Sequence, residues 1–564
     1  SNLAIAFHPE FDYAAYDTSG TVLIVAEQLA ETVSKSIGRV FDAPIARFKG
    51  RELEGLRFRH PLYERDSIAV LADYVTLEQG TGAVHTAPGH GADDFLTGQR
   101  YGLDVYAPVN SSGRFTDDVA QFSGMRVFDA NPEIENALHD VGHLWNRSDL
   151  NHAYPHCWRC HRPVIFLATP QWFISMDTTP VADTQPEADV PSLRNQAVDA
   201  ITQVDWFPRW GEERLRGMLE TRPDWCISRQ RSWGVPIPAL RCRSCDEAIL
   251  SSAVVDCTEA IFARHGADAW YEHDLTEFVP NNLECPKCGK KDFDREKNIL
   301  DVWFDSGVSL EAIQTDNPHL KWPATLYLEG SDQYRGWFQS SLLIGIATHG
   351  QAPYKQVITH GFVVDESGHK MSKSLGNMIE PQAIIKQSGA EILRLWVAMV
   401  DYREEIRIGK EILDRVIEAY RKIRNTLRIL TANLYDFDPS ECVAVENLQE
   451  LDRYALALYG EAARKILRAY DHYDFQTISH TVNNLLTVDL SAFYIDISKD
   501  RLYTFAEASP ERRSTQTAIY LITEGLTRLL APLLPVTTDE LWHHLPGDRD
   551  ESVHLADFPT GTDQ

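Results

Sequence analysis

The sequence has no uninterrupted apolar run near the roughly 18 residues that a membrane-spanning helix needs. Its opening, SNLAIAFHPEF, lacks the charged-then-apolar layout of a secretion signal. Both absences argue against a membrane partner, and with the reducing compartment that the cysteines suggest below, a cytoplasmic protein is expected. The chain does not begin with Met, so a trimmed chain is expected. Positive charge is scarce: 54 Lys and Arg stand against 82 Asp and Glu, for a net charge of −28. That balance excludes a broad non-specific nucleic-acid groove, which rests on clustered cations, and leaves room only for RNA held at local basic faces. There is no internal repeat and no low-complexity tract, and 43% apolar with 10% aromatic residues excludes a disordered composition. No G-x-x-x-x-G-K-[ST] stretch occurs, so a Walker-type phosphate cradle is excluded. His8-Pro9-Glu10 matches half of a zinc-deaminase signature, but no Pro directly precedes a CxxC pair near it, and that reading fails too.

What is present divides into three stretches, and 564 residues are too many for one core. The expected fold is multidomain α/β followed by all-α. Residues 1–152 mix short β-rich runs (TVLIVA, DSIAVLADYVTL) with Gly- and Pro-bearing turns. Over residues 153–400 the strand candidates VIFLAT, ATLYLEG and YKQVITHGFVV alternate with helical stretches such as FQSSLLIGIATHG, which predicts parallel βαβ units. Residues 401–564 read as helical throughout. In 411–434 the residues Leu413, Val416, Ile417, Tyr420, Ile423, Leu427 and Leu430 follow a 3.6 period, and segments 452–475, 477–500 and 515–533 repeat the habit, so a helical bundle closes the chain.

Six of the nine cysteines stand in CxxC pairs, which suits metal ligation in a reducing compartment better than a disulfide framework. Cys242, Cys245, Cys285 and Cys288 can supply four thiolates to one structural Zn²⁺ in a knuckle at about 240–290. Because 39 residues separate the pairs, an inserted loop is implied. A third pair, Cys157 and Cys160, has no second CxxC left; His156 and His161, or a partner outside these residues, would complete that site.

Three further segments are dense in chemistry-bearing residues. GTGAVHTAPGHGADDF (80–95) offers His85, His90, Asp93 and Asp94 among glycines, and fits either a solvated Gly-rich turn or an acid–base site. DVWFDSG and YLEGSDQYRGWF put Trp303, Trp337 and carboxylates near strand ends, where a parallel sheet faces its ligand; the alternative is that both tryptophans are core. In THGFVVDESGHKMSKSLGN (359–377), Lys370 and Lys373 stand among Ser372 and Ser374, between Gly368 and Gly376. Such a loop suits a polyphosphate.

Together these segments resemble one family, the class I aminoacyl-tRNA synthetases. KMSKS (370–374) matches the second signature of the class. WCISRQRSWGVPIP (225–238) and DVWFDSG match the subgroup charging branched aliphatic amino acids, and LEGSDQYRGWF looks like its isoleucyl form. GTGAVHTAPGHGADD looks like an inserted hydrolytic editing pocket, and the helical tail like an anticodon-binding bundle. The resemblance therefore implies a partial editing domain over 1–152, the second half of a Rossmann-like catalytic domain with its zinc knuckle over 153–400, and an anticodon-binding domain over 401–564. It implies ATP-dependent attachment of isoleucine to tRNA(Ile) through an isoleucyl-adenylate, by a monomer.

By the same resemblance Lys370 and Lys373 close over the leaving phosphates, with Ser372 and Ser374 as hydroxyl donors and Mg²⁺ accompanying ATP. Glu329, Gly330, Asp332 and Gln333 hold the adenylate, the backbone at His360 and Gly361 meets adenine, and Trp303 and Trp337 wall the side-chain pocket. An apolar pocket cannot strongly reject a substrate one methylene smaller, so a second site is implied for mischarged valine: His85 positions the ester or water and Asp94 binds the α-amino group. On helix 411–432, Arg421, Arg424 and Arg428, with Lys422 beside them, form a face that suits either tRNA phosphates or plain solvation.

The departures from the family pattern are consistent with one another. The first signature, His-x-Gly-His, is absent, as are the Thr-rich editing strand, the CxxC that would pair with Cys157 and Cys160, and a C-terminal zinc extension. The chain resembles the middle of such an enzyme and is expected to be inactive alone. The competing readings are the valyl enzyme and a non-catalytic tRNA-binding protein; the intact KMSKS and LEGSDQ favour the ligase, since a binding module has no use for pyrophosphate contacts.

Overall fold

The β-branched run Asp66–Leu71 is one of four strands that pair in the order Arg57–Arg59, Asp66–Leu71, Ala4–Phe7, Ala83–Thr86. Ala4–Phe7 runs parallel to Asp66–Leu71 and antiparallel to Ala83–Thr86, with Ile5 opposite His85. A second, antiparallel sheet joins Val22–Ala26, Asp12–Asp17 and Ala46–Lys49. Phe7, Tyr13, Val25, Leu29 and Leu53 fill a common core. The computed structural model describes residues 2–149, 153–178 and 191–560, apart from the side chains of residues 315 and 316. These residues fall into two compact units, Ser1–Gln171 and Trp172–Gln564. The boundary expected at residue 152 lies outside the described residues.

VIFLAT (164–169) is not a strand. Its backbone is used one contact at a time: the amide of Val164 donates to Pro155 O, the amide of Ala168 donates to Gly89 O, and Phe166 O meets His90 Nδ1 at 3.0 Å. One contact to Pro155 and two to the neighbouring Gly89 and His90, one of them a side chain, do not form a ladder, whatever the β propensity of the side chains.

In the second unit a three-stranded parallel sheet has the order Ala324–Gly330, Tyr354–His360, Asp205–Phe207. The crossover between the first two strands is helix Trp337–His349. Its residues Phe338 to Ile346 are all buried, which is why the sequence there is apolar with no polar face. Tyr334, Phe338, Leu342, Tyr354 and Val357 share that core.

From Lys410 onward the chain is almost wholly helical. Helix Lys410–Ala432 buries Val416, Ile423, Leu427 and Leu430, while Leu413, Ile417 and Tyr420 pack at the edge of the same core. Helices Glu450–Asp471 and Pro510–Leu530 complete the bundle with a continuous rod, Phe475–Tyr503, that widens to π-helical turns over Leu485–Ile495. The bundle core runs on into helix Ala390–Met399 through Ile392, Leu395 and Trp396. The buried Glu391 reinforces that junction: its carboxylate accepts from the amides of Val536 (2.8 Å) and Thr537 (3.0 Å) and from the Thr537 hydroxyl. Among the described residues no helix is long and apolar enough to cross a membrane.

Candidate active site

The parallel register sets Glu329 opposite Thr359 and Gly330 opposite His360, so both strands deliver their carboxyl ends to one edge. That is where an open α/β sheet takes its ligand. Beyond the edge lies the short 3-10 turn Ser331–Arg335, which carries Asp332 and Gln333 and is pinned by a buried bond between Tyr334 OH and Thr359 Oγ1, 2.8 Å. Gln333 Oε1 accepts from the Trp337 amide at 3.1 Å, and Gln333 Nε2 donates to Asp332 at 3.3 Å. Glu329 is exposed with no side-chain partner among the described residues, so its carboxylate is available to a ligand. His360 Nδ1 meets Gly361 O at 2.8 Å, and the Gly361 amide donates to Tyr402 O.

Trp303 and Trp337 come together around Gly336. A Cβ on Gly336 would lie 2.7 Å from the Trp303 ring and 2.5 Å from Gln333 Oε1, so only glycine lets the indole lie against this turn. Trp337 stacks on Tyr327 at 3.9 Å, and its Nε1 donates to Ser306 O and Ser309 Oγ. It is part-buried and held, whereas Trp303 stays 39% exposed. Trp303 and Gly336 border a cavity of about 250 Å³ with Arg222, Arg335 and Gln339; Glu329 and Trp337 do not line it.

Past Gly361 the chain pairs Val363–Val364 with Ile406–Arg407 and then turns into the lysine loop. Lys370 and Lys373 are exposed, and neither has a hydrogen bond or ion pair among the described residues. Two unpartnered cations in a chain this acidic are available to an anionic ligand. Ser372 Oγ accepts from the Leu375 amide and lies 3.1 Å from Ser374 Oγ, so these hydroxyls also shape the turn. Asp365 and Asn377, at the two ends of the loop, make the most side-chain bonds in it. Reading by residue type passed over them, because an Asp and an Asn twelve positions apart carry no signal until the loop closes.

The four cysteines of the double pair converge. Cys242 Sγ lies 3.5 Å from Cys288 Sγ, Cys245 Sγ lies 3.5 Å from Cys285 Sγ, and all four sulfurs fall within 4.8 Å of one another. A tetrahedron with bonds of about 2.3 Å has edges of about 3.8 Å, so a zinc ion fits with small adjustment. The two knuckles are folded alike. In each the first Cys amide donates to the carbonyl five residues on (Glu247, Lys290), and the residue four positions on, at positive φ (Asp246, Gly289), donates back to the Cys carbonyl. Glu296 holds this module to residue 172: its carboxylate accepts from Trp172 Nε1 at 3.0 Å and from the amides of Lys297 and Asn298, with Arg241 3.5 Å away.

Cys157 and Cys160, in the first unit, repeat the knuckle. The Cys157 amide donates to Arg162 O, and His161, at φ 54°, donates its amide to Cys157 O. The amides of Cys160 and Arg159 hold the Cys157 thiol below its ordinary pKa. His156 Nδ1 is turned to Tyr154 O, and among the described residues neither histidine is gathered with the two sulfurs into a ligand group as the four cysteines of the double pair are.

His85, on strand Ala83–Thr86, lines a cavity of about 860 Å³ together with His60, Arg65, Tyr106 and Asp118. Its ring is open to solvent, yet the cavity walls displace enough water to push its pKa down, partly opposed by the nearby Asp94 carboxylate. The cavity therefore disfavours the protonated form of the His85 imidazole. Asp94, in the first turn of helix Ala92–Tyr101, does not line the cavity; it accepts from the Ala87 amide at 2.9 Å and from Tyr74 OH at 3.4 Å. His60 is the residue that sequence reading missed here. Its Nδ1 accepts from the amides of Leu62 and Tyr63, and burial lowers its pKa to about 4.

Comparison with known proteins places these features in a family. Residues 25–409 match the family described as tRNA synthetases class I (I, L, M and V), and residues 452–564 match the anticodon-binding domain of tRNA ligases. The isoleucine–tRNA ligase of Geobacter sulfurreducens is 50% identical over 560 residues, 99% of this chain and 59% of that protein. The isoleucine–tRNA ligase of Nitratidesulfovibrio vulgaris is 52% identical over 548 residues, 97% of this chain and 57% of that protein. A crystal structure of the ternary complex of Agrobacterium radiobacter K84 agnB2 LeuRS with tRNA and LeuAMS overlays with a TM-score of 0.44 at 17% identity, over 99% of this chain and 63% of that one. The chain thus spans a little under three-fifths of the length of the curated relatives it matches.

Proposed function

The chain belongs to the class I tRNA synthetases of the I, L, M and V group, and on that premise we propose that it carries part of the machinery that attaches isoleucine to tRNA(Ile). Half of its residues coincide with a curated isoleucine–tRNA ligase along 99% of its length, and that observation carries the choice of isoleucine. The geometry supports the chemistry. In amino-acid activation the carboxylate attacks the α-phosphorus of ATP, a C–O–P bond forms, and pyrophosphate leaves with the electron pair of the broken P–O bond. Negative charge grows on the leaving oxygens, so donors already aimed there lower the barrier most. Lys370 and Lys373, free of internal partners, are suited to that charge, with Mg²⁺ entering alongside ATP.

At the sheet edge, Glu329 takes the ammonium group of the amino acid, Asp332 and Gln333 take the ribose, and His360 and Gly361 face adenine. Trp303 and Trp337 bound the aliphatic side chain, with Gly336 and Gly330 keeping the turn close. The four cysteines hold a structural zinc whose role is to fix the knuckle. In the first unit His85 would orient the ester or the water, and the lone pairs that Asp94 has left would bind the amino group of mischarged valine. The reading carries with it a monomeric, cytoplasmic enzyme whose helical bundle meets tRNA.

The test is ATP–pyrophosphate exchange by residues 1–564 alone and joined to the part of the Geobacter sulfurreducens relative outside the match. The joined protein should exchange with isoleucine at least tenfold more efficiently than with valine, the limited discrimination an apolar pocket allows, here about 10–200-fold. Equal exchange with both, or none with either, would refute the proposal.

A further inference from the structure

The lysine loop is closed by two side chains at its ends. Asp365 Oδ2 accepts from Asn377 Nδ2 at 2.9 Å, and Asp365 Oδ1 accepts from the amides of Ser367 (3.0 Å) and His369 (2.8 Å). Asn377 Oδ1 accepts from the Ser372 amide at 3.0 Å, and its Nδ2 also reaches Lys370 O at 3.3 Å. One carboxylate and one carboxamide therefore hold the backbone at 367, 369, 370 and 372. Those contacts bracket Lys370 and lead directly to Lys373. Besides these two, only Ser372 Oγ, which accepts from the Leu375 amide, and Arg407, which donates to Glu366 O, bond the loop backbone from a side chain among the described residues.

We propose that Asp365 and Asn377 form a positioning clasp that presets the loop so that Lys370 and Lys373 meet the leaving phosphates; this rests on the activation chemistry proposed above. The physical ground is preorganisation. A loop cation contributes to the transition state only if its ordering is complete before the charge develops. The lysine side chains remain free to move, but the backbone that aims them does not. The clasp also disposes of a hazard. A carboxylate beside a polyphosphate site would repel the ligand, and here the Asp365 oxygens are occupied by three donors of the loop itself, with His369 Nδ1 a further 3.7 Å away.

The pair predicts its own rescue. Asn377→Asp sets two carboxylates against each other and removes the donor. Adding Asp365→Asn restores it in reverse: the amide at 365 donates to the carboxylate at 377, which still accepts from the Ser372 amide, while the amide oxygen at 365 still accepts from Ser367 and His369. Only the 3.3 Å contact to Lys370 O is lost.

Two readouts test this. In residues 1–564, trypsin cleavage after Lys370 and Lys373, followed by mass spectrometry, should be about tenfold faster in Asn377→Asp, the effect of one charge-assisted hydrogen bond, and return to within about threefold of the parent in the double variant. In the joined protein, Asn377→Asp should lower kcat for isoleucine-dependent exchange about tenfold with KM for isoleucine unchanged, and the double variant should recover most of it. Cleavage and kcat like the parent in Asn377→Asp, or a double variant no better than the single, would overturn the clasp. Absence of isoleucine-dependent exchange in the parent joined protein would instead overturn the proposed function, and the trypsin result would still decide the clasp.

Discussion

Removing the proposed zinc should loosen one module and leave the rest of the chain as it was. The paired knuckles lie on either side of a 39-residue segment, so an ion bridging Cys242 and Cys245 to Cys285 and Cys288 closes a loop of about forty residues in the unfolded module. Closing such a loop by a cross-link restricts the unfolded chain by about 4 kcal/mol. At 1.4 kcal/mol per factor of ten, that is close to about three orders of magnitude in local opening. The module would not collapse completely, because Leu240, Ile249, Val254, Ile261, Trp270, Phe278 and Phe293 form a core of their own and Trp270 Nε1 donates to Glu296 O. Backbone amides near both knuckles should therefore lose up to that factor of hydrogen-exchange protection after chelation, and equally in Cys285→Ser. Helix Lys410–Ala432, whose core is separate, should exchange as before. Purified chain without bound metal, and knuckle exchange indifferent to chelator, would refute the reasoning.

Other outcomes follow from single contacts. Glu391→Ala orphans the amides of Val536 and Thr537 at roughly 1–3 kcal/mol each, so urea unfolding of the bundle should lose about 2–6 kcal/mol; a loss under about 0.5 kcal/mol would mean that the junction does not depend on it. Arg424→Glu, on the exposed face of helix Lys410–Ala432, should weaken tRNA binding and flatten its salt dependence, whereas Arg421, already 2.5 Å from Glu418, should matter less; equal effects would deny that distinction. Lys373→Ala in the joined protein should lower kcat about a hundredfold and change KM for ATP far less, and the reverse split would make it a ground-state contact. Burial pushes the Glu296 carboxyl up, but the Asn298 amide, the Trp172 indole, the Lys297 amide and Arg241 together hold it below its ordinary pKa. Its contribution to stability is thus fully present above the unfolded carboxyl value and fades as pH falls through the folded one. Glu296→Gln should flatten the acid limb of a stability–pH profile, and an unchanged limb would show that the clamp is not titrating.

Much of this protein was legible before folding because it is local. A 3.6-residue period marks the bundle helices, a stretch without a charged residue marks the buried crossover helix, and CxxC spacing marks the knuckles, since each pattern is produced by neighbours in the chain. What was not legible depends on who meets whom. VIFLAT has strand composition but no partner strand, and pairing is not a property of one segment. His156 and His161 stand beside Cys157 and Cys160 in sequence, yet among the described residues the fold gathers neither ring with the two thiols into a ligand group. Arg421 and Lys373 are both cations by residue type. Helix geometry sets Glu418 one turn from the first, while the loop sets no partner beside the second among the described residues, so one is a solvated ion pair and the other a free cation. Asp365 and Asn377 acquire a role only when the loop brings their side chains to 2.9 Å. The sequence alone settles where helices, strands and thiols can be, because those follow from covalent neighbours. Which charges are left free for a ligand is decided by the folded structure, because whether a charge meets a partner depends on the helix or loop geometry around it and not on its residue type.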